Sequence, residues 1–188
     1  MGIQADTPDA GPRRSPYCIV SAPKDDRTFR LLIRKVTEAP LSYWLADLAV
    51  GDVIHFRGPS GRSMIPKEGD EELVFLATGV GIGPLLGLVE HLDTLGIQRT
   101  IPLYWGLRLA SDICLIDELD ELVRRYPSFS YHITLSVPPP GWNGLRGRVT
   151  ESVPPLLGTL GGKRFYLVGN GAMVTEMEFV LSDLGVDR

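Results

Sequence analysis

The sequence is poor in the side chains that bind metals, with two cysteines, Cys18 and Cys114, and three histidines among 188 residues. Two thiols are too few for a disulfide framework, a four-thiolate zinc site or an iron–sulfur cluster. The histidines are not spaced with acids or cysteines as metal ligands are. The sequence therefore predicts no metal site, and its thiols are typical of a reducing cytosol.

Positive charge is also scarce, because 19 Lys and Arg stand against 23 Asp and Glu and give a formal charge of −4. Such a chain has no field that would hold a nucleic acid or an anionic membrane. The first 14 residues lack the apolar stretch of a secretory signal. The uncharged stretch 73–89 contains four glycines and a proline, which argue against a spanning helix. We expect a cytoplasmic protein with no nucleic-acid or membrane partner.

A polar, turn-rich segment at residues 65–72 separates two halves with different hydrophobic patterns. It predicts two domains, residues 1–70 and 71–188. In the first half, apolar residues at helical spacing over 41–48 predict one short helix. The remainder of that half contains runs that predict antiparallel β-strands: residues 17–21, 29–36 and 52–57.

The second half alternates continuous apolar runs with helical patterns, which predicts an α/β domain with a doubly wound parallel sheet. The predicted strands are residues 73–77, 100–105, 130–135 and 164–168. The predicted helices are residues 82–95, 115–126, 150–157 and 172–184. Sheets of this kind bind ligands beyond the carboxyl ends of their strands, so the residues that follow each strand are the candidate site.

A glycine-rich turn follows the first of these strands. Thr78 is succeeded by Gly79, Gly81, Gly83 and Pro84, and such a turn lets backbone N–H groups and a helix N-terminus approach a diphosphate. The alternative is that the glycines only close a tight strand-to-helix turn. An ordinary Rossmann dehydrogenase is disfavoured, because Trp105 and Gly106 stand where its ribose-binding acid would be.

Polar and glycine residues also follow the later strands. Gly106 and Arg108 follow the second strand and Ser136 follows the third, where an adenosine half with its phosphate would lie. The alternative for Arg108 is a plain surface cation. The fourth strand leads into another flexible turn that opens a helix: Gly169, Asn170, Gly171, Ala172 and Met173.

Four spaced motifs occur in order along this half. They are Thr78-Gly-x-Gly-Ile-x-Pro84, Tyr104-x-Gly-x-Arg108, Trp142-x-Gly144-x-x-Gly147-x-Val149 after Ser136, and Gly169-x-x-x-Met173. Together they resemble the ferredoxin–NADP reductase superfamily. The resemblance implies a partial antiparallel flavin-binding β-barrel followed by a pyridine-nucleotide domain.

The first half carries a weaker likeness to the flavin signature of that family, Arg-x-Tyr-Ser followed by a small apolar pair and Ser. The segment in question is Ser15-Pro16-Tyr17-Cys18-Ile19-Val20-Ser21, with Arg14 one residue early and Cys18 in place of the serine. The likeness implies flavin contacts from Arg14, Tyr17, Cys18, Ile19, Ser21 and Ser42. From the residues alone, Tyr17 and Cys18 are equally a strand pair in a β core, and Ser42 is equally an N-cap of the helix that bears Trp44.

The family resemblance implies hydride transfer from NAD(P)H to a flavin, FAD or alternatively FMN, with Tyr17, Cys18 and Thr78 beside the reacting atoms. Val137, directly after Ser136, cannot grip a 2′-phosphate, which favours NADH over NADPH. Electrons would pass to an acceptor protein, with an iron–sulfur protein as one candidate. The alternative is a catalytically degenerate nucleotide-binding module or an electron-transfer subunit without bound flavin.

Both ends of the chain are short relative to that family. Only 16 residues precede Tyr17, so three barrel strands are predicted where six are expected, and three strands cannot close a barrel. The last helix is followed by no further strand. We therefore expect either a fragment of a longer protein or a homodimer that covers the incomplete barrel.

Overall fold

A computed structural model describes residues 2–5, 15–36, 38–66, 69 and 71–187. In the first half, four short strands form an antiparallel sheet in the order β3-β2-β1-β4. Their bounds are β1 Gly2–Ala5, β2 Tyr17–Ile19, β3 Leu31–Leu32 and β4 Phe56–Arg57, and the helix α1 spans Pro40–Ala46. The sheet is a partial barrel, as the sequence predicted, but β1 is a strand that sequence analysis missed.

The predicted strands 29–36 and 52–57 are mostly wrong, since each pairs over two residues only. Turn-forming residues explain part of this difference. Asp26 Oδ1 accepts hydrogen bonds from the backbone N–H and the hydroxyl of Thr28, at 2.8 and 2.7 Å. This local bonding competes with a strand ladder and delays the start of β3.

The second half is a five-stranded, fully parallel sheet in the order β8-β7-β6-β5-β9. Its strands are β5 Glu72–Thr78, β6 Ile101–Leu107, β7 Phe129–Leu135, β8 Leu145–Arg146 and β9 Lys163–Val168. Its helices are α2 Ile82–Thr94, α3 Ile116–Arg125, α4 Val149–Ser152 and α5 Gly171–Asp183. The predicted doubly wound α/β domain is confirmed.

Two differences from the predicted elements have simple causes. The helix predicted at 150–157 stops at Ser152, because Pro154 and Pro155 cannot continue an α-helix and form a 3-10 turn instead. Strand β8 escaped prediction because two residues carry no readable alternation.

Helices cover both faces of the parallel sheet, and alternate side chains of each strand enter opposite cores. Phe75 belongs to the core beneath α2 and α3, whereas its neighbour Val74 belongs to the core beneath α4 and α5. Val20 of the first half packs into the former core. The two halves therefore meet on the α2 face of the sheet.

Within the ranges given above, no helix is long and apolar enough to cross a membrane. The same residues contain no group of three or more side chains that could hold a metal ion.

Candidate functional site

A cleft of about 900 Å³ lies at the carboxyl end of the parallel sheet and is lined from both halves. The second half supplies the ends of β5, β6, β7 and β9 and the loops that follow them. The first half supplies Cys18 and the segment Leu32–Arg34. The cleft therefore joins the flavin-type segment of the sequence to its nucleotide-type turns.

The glycine-rich turn lines this cleft through residues 79–81. Gly79 has φ +54°, which glycine adopts at little cost, and Trp105 Nε1–H donates a 2.9 Å hydrogen bond to the Gly79 carbonyl. A Cβ built at Gly81 would overlap the Val168 carbonyl oxygen and lie 2.7 Å from the Val168 carbonyl carbon. The glycines thus serve close packing of two loops as well as openness toward a ligand.

The turn after β9 meets the first turn directly. The backbone N–H of Asn170 lies 3.4 Å from Thr78 Oγ1, and a Cβ at Gly169 would lie 2.6 Å from Met173 Cε. Asn170 Oδ1 accepts the Met173 N–H at 2.9 Å and so caps α5. Thr78, Gly169, Asn170 and Met173 all line the cleft.

The ends of β6 and β7 and the start of α4 form the opposite end of the cleft. Ser136 N–H donates to the Leu107 carbonyl at 3.0 Å, which places Arg108 and Ser136 at adjoining strand ends. Neither Arg108 nor Arg148 makes a side-chain hydrogen bond or ion pair with any residue that the structure describes. The Thr150 hydroxyl is buried and equally without a partner there.

The sequence-predicted residues divide into two groups. Those that line the cleft are Cys18, Thr78, Gly79, Gly81, Gly106, Arg108, Ser136, Gly169, Asn170 and Met173. Those that do not are Tyr17, Ile19, Ser21, Ser42, Gly83, Pro84 and Gly171. Arg14 lies outside the described residues.

Two of the predicted flavin contacts are occupied by local hydrogen bonds. Ser42 is the third residue of α1, and its hydroxyl is 2.8 Å from the Ala39 carbonyl, to which it donates. The alternative that Ser42 is the N-cap of α1 is therefore wrong, since Ala39 is the N-cap residue and makes no side-chain capping bond. Ser21 Oγ accepts the Arg30 N–H at 3.0 Å and is buried.

Arg34, Arg148 and Thr150 are among the cleft residues that were missed in the sequence. Arg34 lies on the first-half wall, while Arg148 and Thr150 lie at the start of α4, directly after Gly147, whose N–H donates to the Leu135 carbonyl. Arg148 and Thr150 could have been found, because they flank Val149 in the Gly147-x-Val149 motif. Arg34 carried no such signal, since it sits in a run that was assigned to a strand.

The surroundings of the two thiols at the wall of the cleft raise their pKa. Desolvation raises the pKa of Cys18, and it also raises the pKa of Cys114, where Glu118 and Asp112 add to the effect. Both thiols therefore stay protonated at neutral pH and are poor nucleophiles. The site shows no activated cysteine.

A nucleotide-type parallel sheet that faces a flavin-type partial barrel across one cleft defines a two-domain, dinucleotide-binding oxidoreductase fold. Residues 75–178 match the Oxidoreductase NAD-binding domain family, and residues 3–65 match the Oxidoreductase FAD-binding domain family. The chain belongs to the ferredoxin–NADP reductase superfamily. Its flavin-type domain is of the FAD-binding kind.

Relatives with curated names support this assignment. The chain is 32% identical over 162 residues to the phenol hydroxylase P5 protein of Acinetobacter pittii. This match covers 84% of the present chain and 46% of the relative. It is 31% identical over 179 residues to ferredoxin–NADP reductase B of Sorangium cellulosum. That match covers 92% of the present chain and 73% of the relative. The chain spans about half the length of several curated relatives that it matches.

The fold is also found among solved structures. A cytochrome P450 reductase from Amycolatopsis superimposes with a TM-score of 0.87 at 23% identity, over 99% of this chain and 57% of that one. At this identity the likeness concerns the fold.

Proposed function

We propose that this chain is an NAD(P)H-dependent flavin oxidoreductase that takes hydride from a reduced nicotinamide and passes electrons to an acceptor protein. The observation that carries the proposal is the shared cleft, in which Cys18 of the first half and the Thr78–Gly81 turn of the second line the same space. A bound flavin would supply the two-electron acceptor, and the protein would supply contact geometry of about 3 to 3.5 Å.

The second half would hold the dinucleotide. Arg108 and Arg148 offer two guanidinium groups with no partner among the described residues, and phosphate oxygens are the partners that guanidinium prefers. Ser136 and the unpartnered Thr150 hydroxyl offer hydrogen bonds to a ribose. The turn at residues 79–81 would border the pyrophosphate and nicotinamide.

The first half would hold the flavin, and the residues on its wall fit such a group. Leu32 and Ile33 present an apolar surface, Arg34 provides a cation, and Cys18 lies beside Gly83 in the first turn of α2. Tyr17 lies next to Cys18 on β2 and is a further proposed contact. Ile19, Ser21 and Ser42 would act by shaping this wall from behind, because all three are buried away from the cleft.

For the nucleotide we propose NADH as the preferred donor. Val137, which follows Ser136, is apolar and exposed and offers no charge to a 2′-phosphate. The two free arginines serve the phosphates that NADH and NADPH have in common. A kcat/KM for NADPH equal to or above that for NADH would contradict the preference.

The acceptor is proposed from the names of relatives, one of which is a ferredoxin–NADP reductase and another a phenol hydroxylase P5 protein. An iron–sulfur protein therefore heads the candidates. A homodimer that covers the edges of the first sheet remains part of the proposal.

The proposal is tested by the colour of the purified protein and its response to NADH. A flavin band at about 450 nm that bleaches under anaerobic NADH supports the enzyme. Colourless protein that gains no band with added FAD yet binds NADH supports instead a degenerate nucleotide-binding module. Failure to bind either cofactor contradicts both assignments.

A further inference from the structure

One face of α2 lies against residues 18–22 of the first half. Gly83, Gly87 and Glu90 follow each other at spacings of four and three, so they form a single stripe along the helix. The N-terminal end of the same helix continues from the turn that lines the cleft. This stripe therefore connects the first half to the helix that continues from the turn at residues 79–81.

The two glycines allow the helix to approach the strand closely. A Cβ built at Gly83 would lie 3.2 Å from Cys18 Cβ, and one built at Gly87 would lie 3.0 Å from the Ser21 carbonyl oxygen. Both separations are tighter than ordinary van der Waals contact. The seam, which is the contact between α2 and residues 18–22, thus has no room for larger side chains at these two positions.

Glu90 ends the stripe and bonds to the first half with both of its oxygens. Its Oε2 accepts the Ala22 backbone N–H at 3.0 Å, and its Oε1 accepts the Arg30 Nη2–H at 2.9 Å. The Glu90 side chain is 20% exposed and that of Arg30 is 49% exposed. The backbone bond is thus the better shielded of the two, and we expect it to contribute more.

Arg30, which bonds to Glu90, also forms backbone hydrogen bonds with residues 20 and 21. Its carbonyl accepts the Val20 N–H at 2.9 Å, and its N–H donates to Ser21 Oγ at 3.0 Å. A single carboxylate on α2 is therefore connected to both segments around the β2–β3 loop. Cys18, four residues before Ala22, lies on the cleft wall at the end of this arrangement.

We propose that Glu90 is a positioning residue that clamps residues 18–22 onto α2 and so sets the width of the cleft between Cys18 and the turn at residues 79–81. Its effect on hydride transfer rests on the proposed function, whereas the clamp itself does not. Transfer is sensitive to separations of about 1 Å, so a looser seam slows the reaction more than it weakens nucleotide binding.

The clamp is tested without any cofactor by the reactivity of Cys18. Because the chain has two cysteines, Cys114→Ser leaves Cys18 as the sole thiol for labelling by a disulfide reagent. Glu90→Ala raises the labelling rate about tenfold, since the seam opens more often. Glu90→Gln raises it less than about threefold, because its amide oxygen still accepts the Ala22 N–H. An unchanged rate in Glu90→Ala overturns the clamp.

A matched control is Glu121→Ala, which removes a carboxylate paired with Arg124 and Arg125 on α3. It should leave Cys18 labelling unchanged. Should Glu90→Ala fail to fold, Arg30→Ala takes its place and raises the labelling rate about threefold, because only the more exposed bond is lost. Equal labelling rates in Arg30→Ala and Glu121→Ala would then reject the clamp.

The consequence for chemistry is tested in the flavin-loaded protein. The rate constant for flavin reduction at saturating NADH falls about tenfold in Glu90→Ala, while the Kd for NADH changes less than about twofold. Glu90→Gln restores most of the rate. A weaker Kd with an unchanged rate constant rejects the positioning role. If the unaltered protein does not oxidise NADH at all, the proposed function fails and the labelling rates alone decide on the clamp.

Discussion

The two sheets of this chain are stabilised in different ways. Strands β5, β6 and β7 each have seven residues, and the largest fully buried side chains of the described chain, Trp105, Tyr126, Phe75 and Phe129, all belong to the second half. The first half has strands of two to four residues and leaves Val53 74% exposed. The second half has its own core, whereas the first takes much of its order from contact with α2.

The largest effect is expected from a cavity in the core of the second half. Phe75→Ala should lower the free energy of unfolding by about 3–5 kcal/mol, because Phe75 is fully buried. Both halves should lose protection together, since the core of the second supports the first. Hydrogen exchange of β2 and β6 amides checks this.

The counterpart in the first half is Leu41→Ala, which should lower the free energy of unfolding by about 2 kcal/mol while β6 keeps its protection. Equal loss of protection in β2 and β6 on Leu41→Ala would show that the two halves form one cooperative unit.

The next effect concerns the contact between loops of the second half. Gly81→Asp should weaken NADH binding about 100-fold, because its side chain displaces the turn and places negative charge near the diphosphate. Gly81→Ala, which adds bulk without charge, should weaken binding about tenfold. Calorimetric titration measures both.

Gly171→Ala serves as the control, since a Cβ at Gly171 meets nothing within 4 Å. Unchanged NADH affinity in Gly81→Asp would remove the turn from the nucleotide site.

A smaller effect is expected at the seam between the halves. Alanine in place of an exposed helical glycine usually stabilises by up to about 1 kcal/mol. At Gly87 we expect the opposite sign, a loss of about 1 kcal/mol, because the new Cβ would lie 3.0 Å from the Ser21 carbonyl. Denaturant unfolding of Gly87→Ala beside Gly171→Ala measures the difference. If Gly87→Ala is instead more stable than the unaltered protein, the segment around Ser21 moves away from the new Cβ without a cost in free energy, which would contradict this prediction.

The smallest effect is a decrease in the free energy of unfolding at alkaline pH, which arises in the second half. Burial, and then the hydrogen bond to Asp120, raise the pKa of Tyr131 to about 12. The unfolded chain ionises near pH 10, so the stabilisation is present below pH 10 and is lost as the pH rises toward 12. Since Tyr131 is only partly buried and its hydrogen bond to Asp120 is exposed to solvent, the loss is below about 1 kcal/mol.

Tyr131→Phe should therefore reduce the difference between the free energies of unfolding at pH 9 and pH 11. An identical difference in the variant would contradict the role of this tyrosine.

Sequence analysis predicted the second half well for a physical reason. Its strands are buried on both faces and read as apolar runs, and glycine marks the turns where they end. The same logic identified Thr78, Arg108, Ser136 and Gly169, all of which line the cleft.

The first half resisted prediction because its strands are too short for alternation to be visible. The alternative that Ser42 caps α1 was wrong because a serine near a helix start is compatible with several local hydrogen bonds. Glu90 gave no signal at all, since its partners lie 68 and 60 residues away in the sequence. Long-range contacts of this kind cannot be read from local patterns.

The separation between Ala22 and Glu90 has a consequence for biosynthesis. A ribosome that adds about 5–20 residues per second needs roughly 3 to 14 seconds to make the 68 residues between them. During this interval the emerging segment around Val20 has no apolar surface of α2 to cover it. The nascent chain is therefore expected to be open to chaperone binding at this segment until α2 has been synthesised.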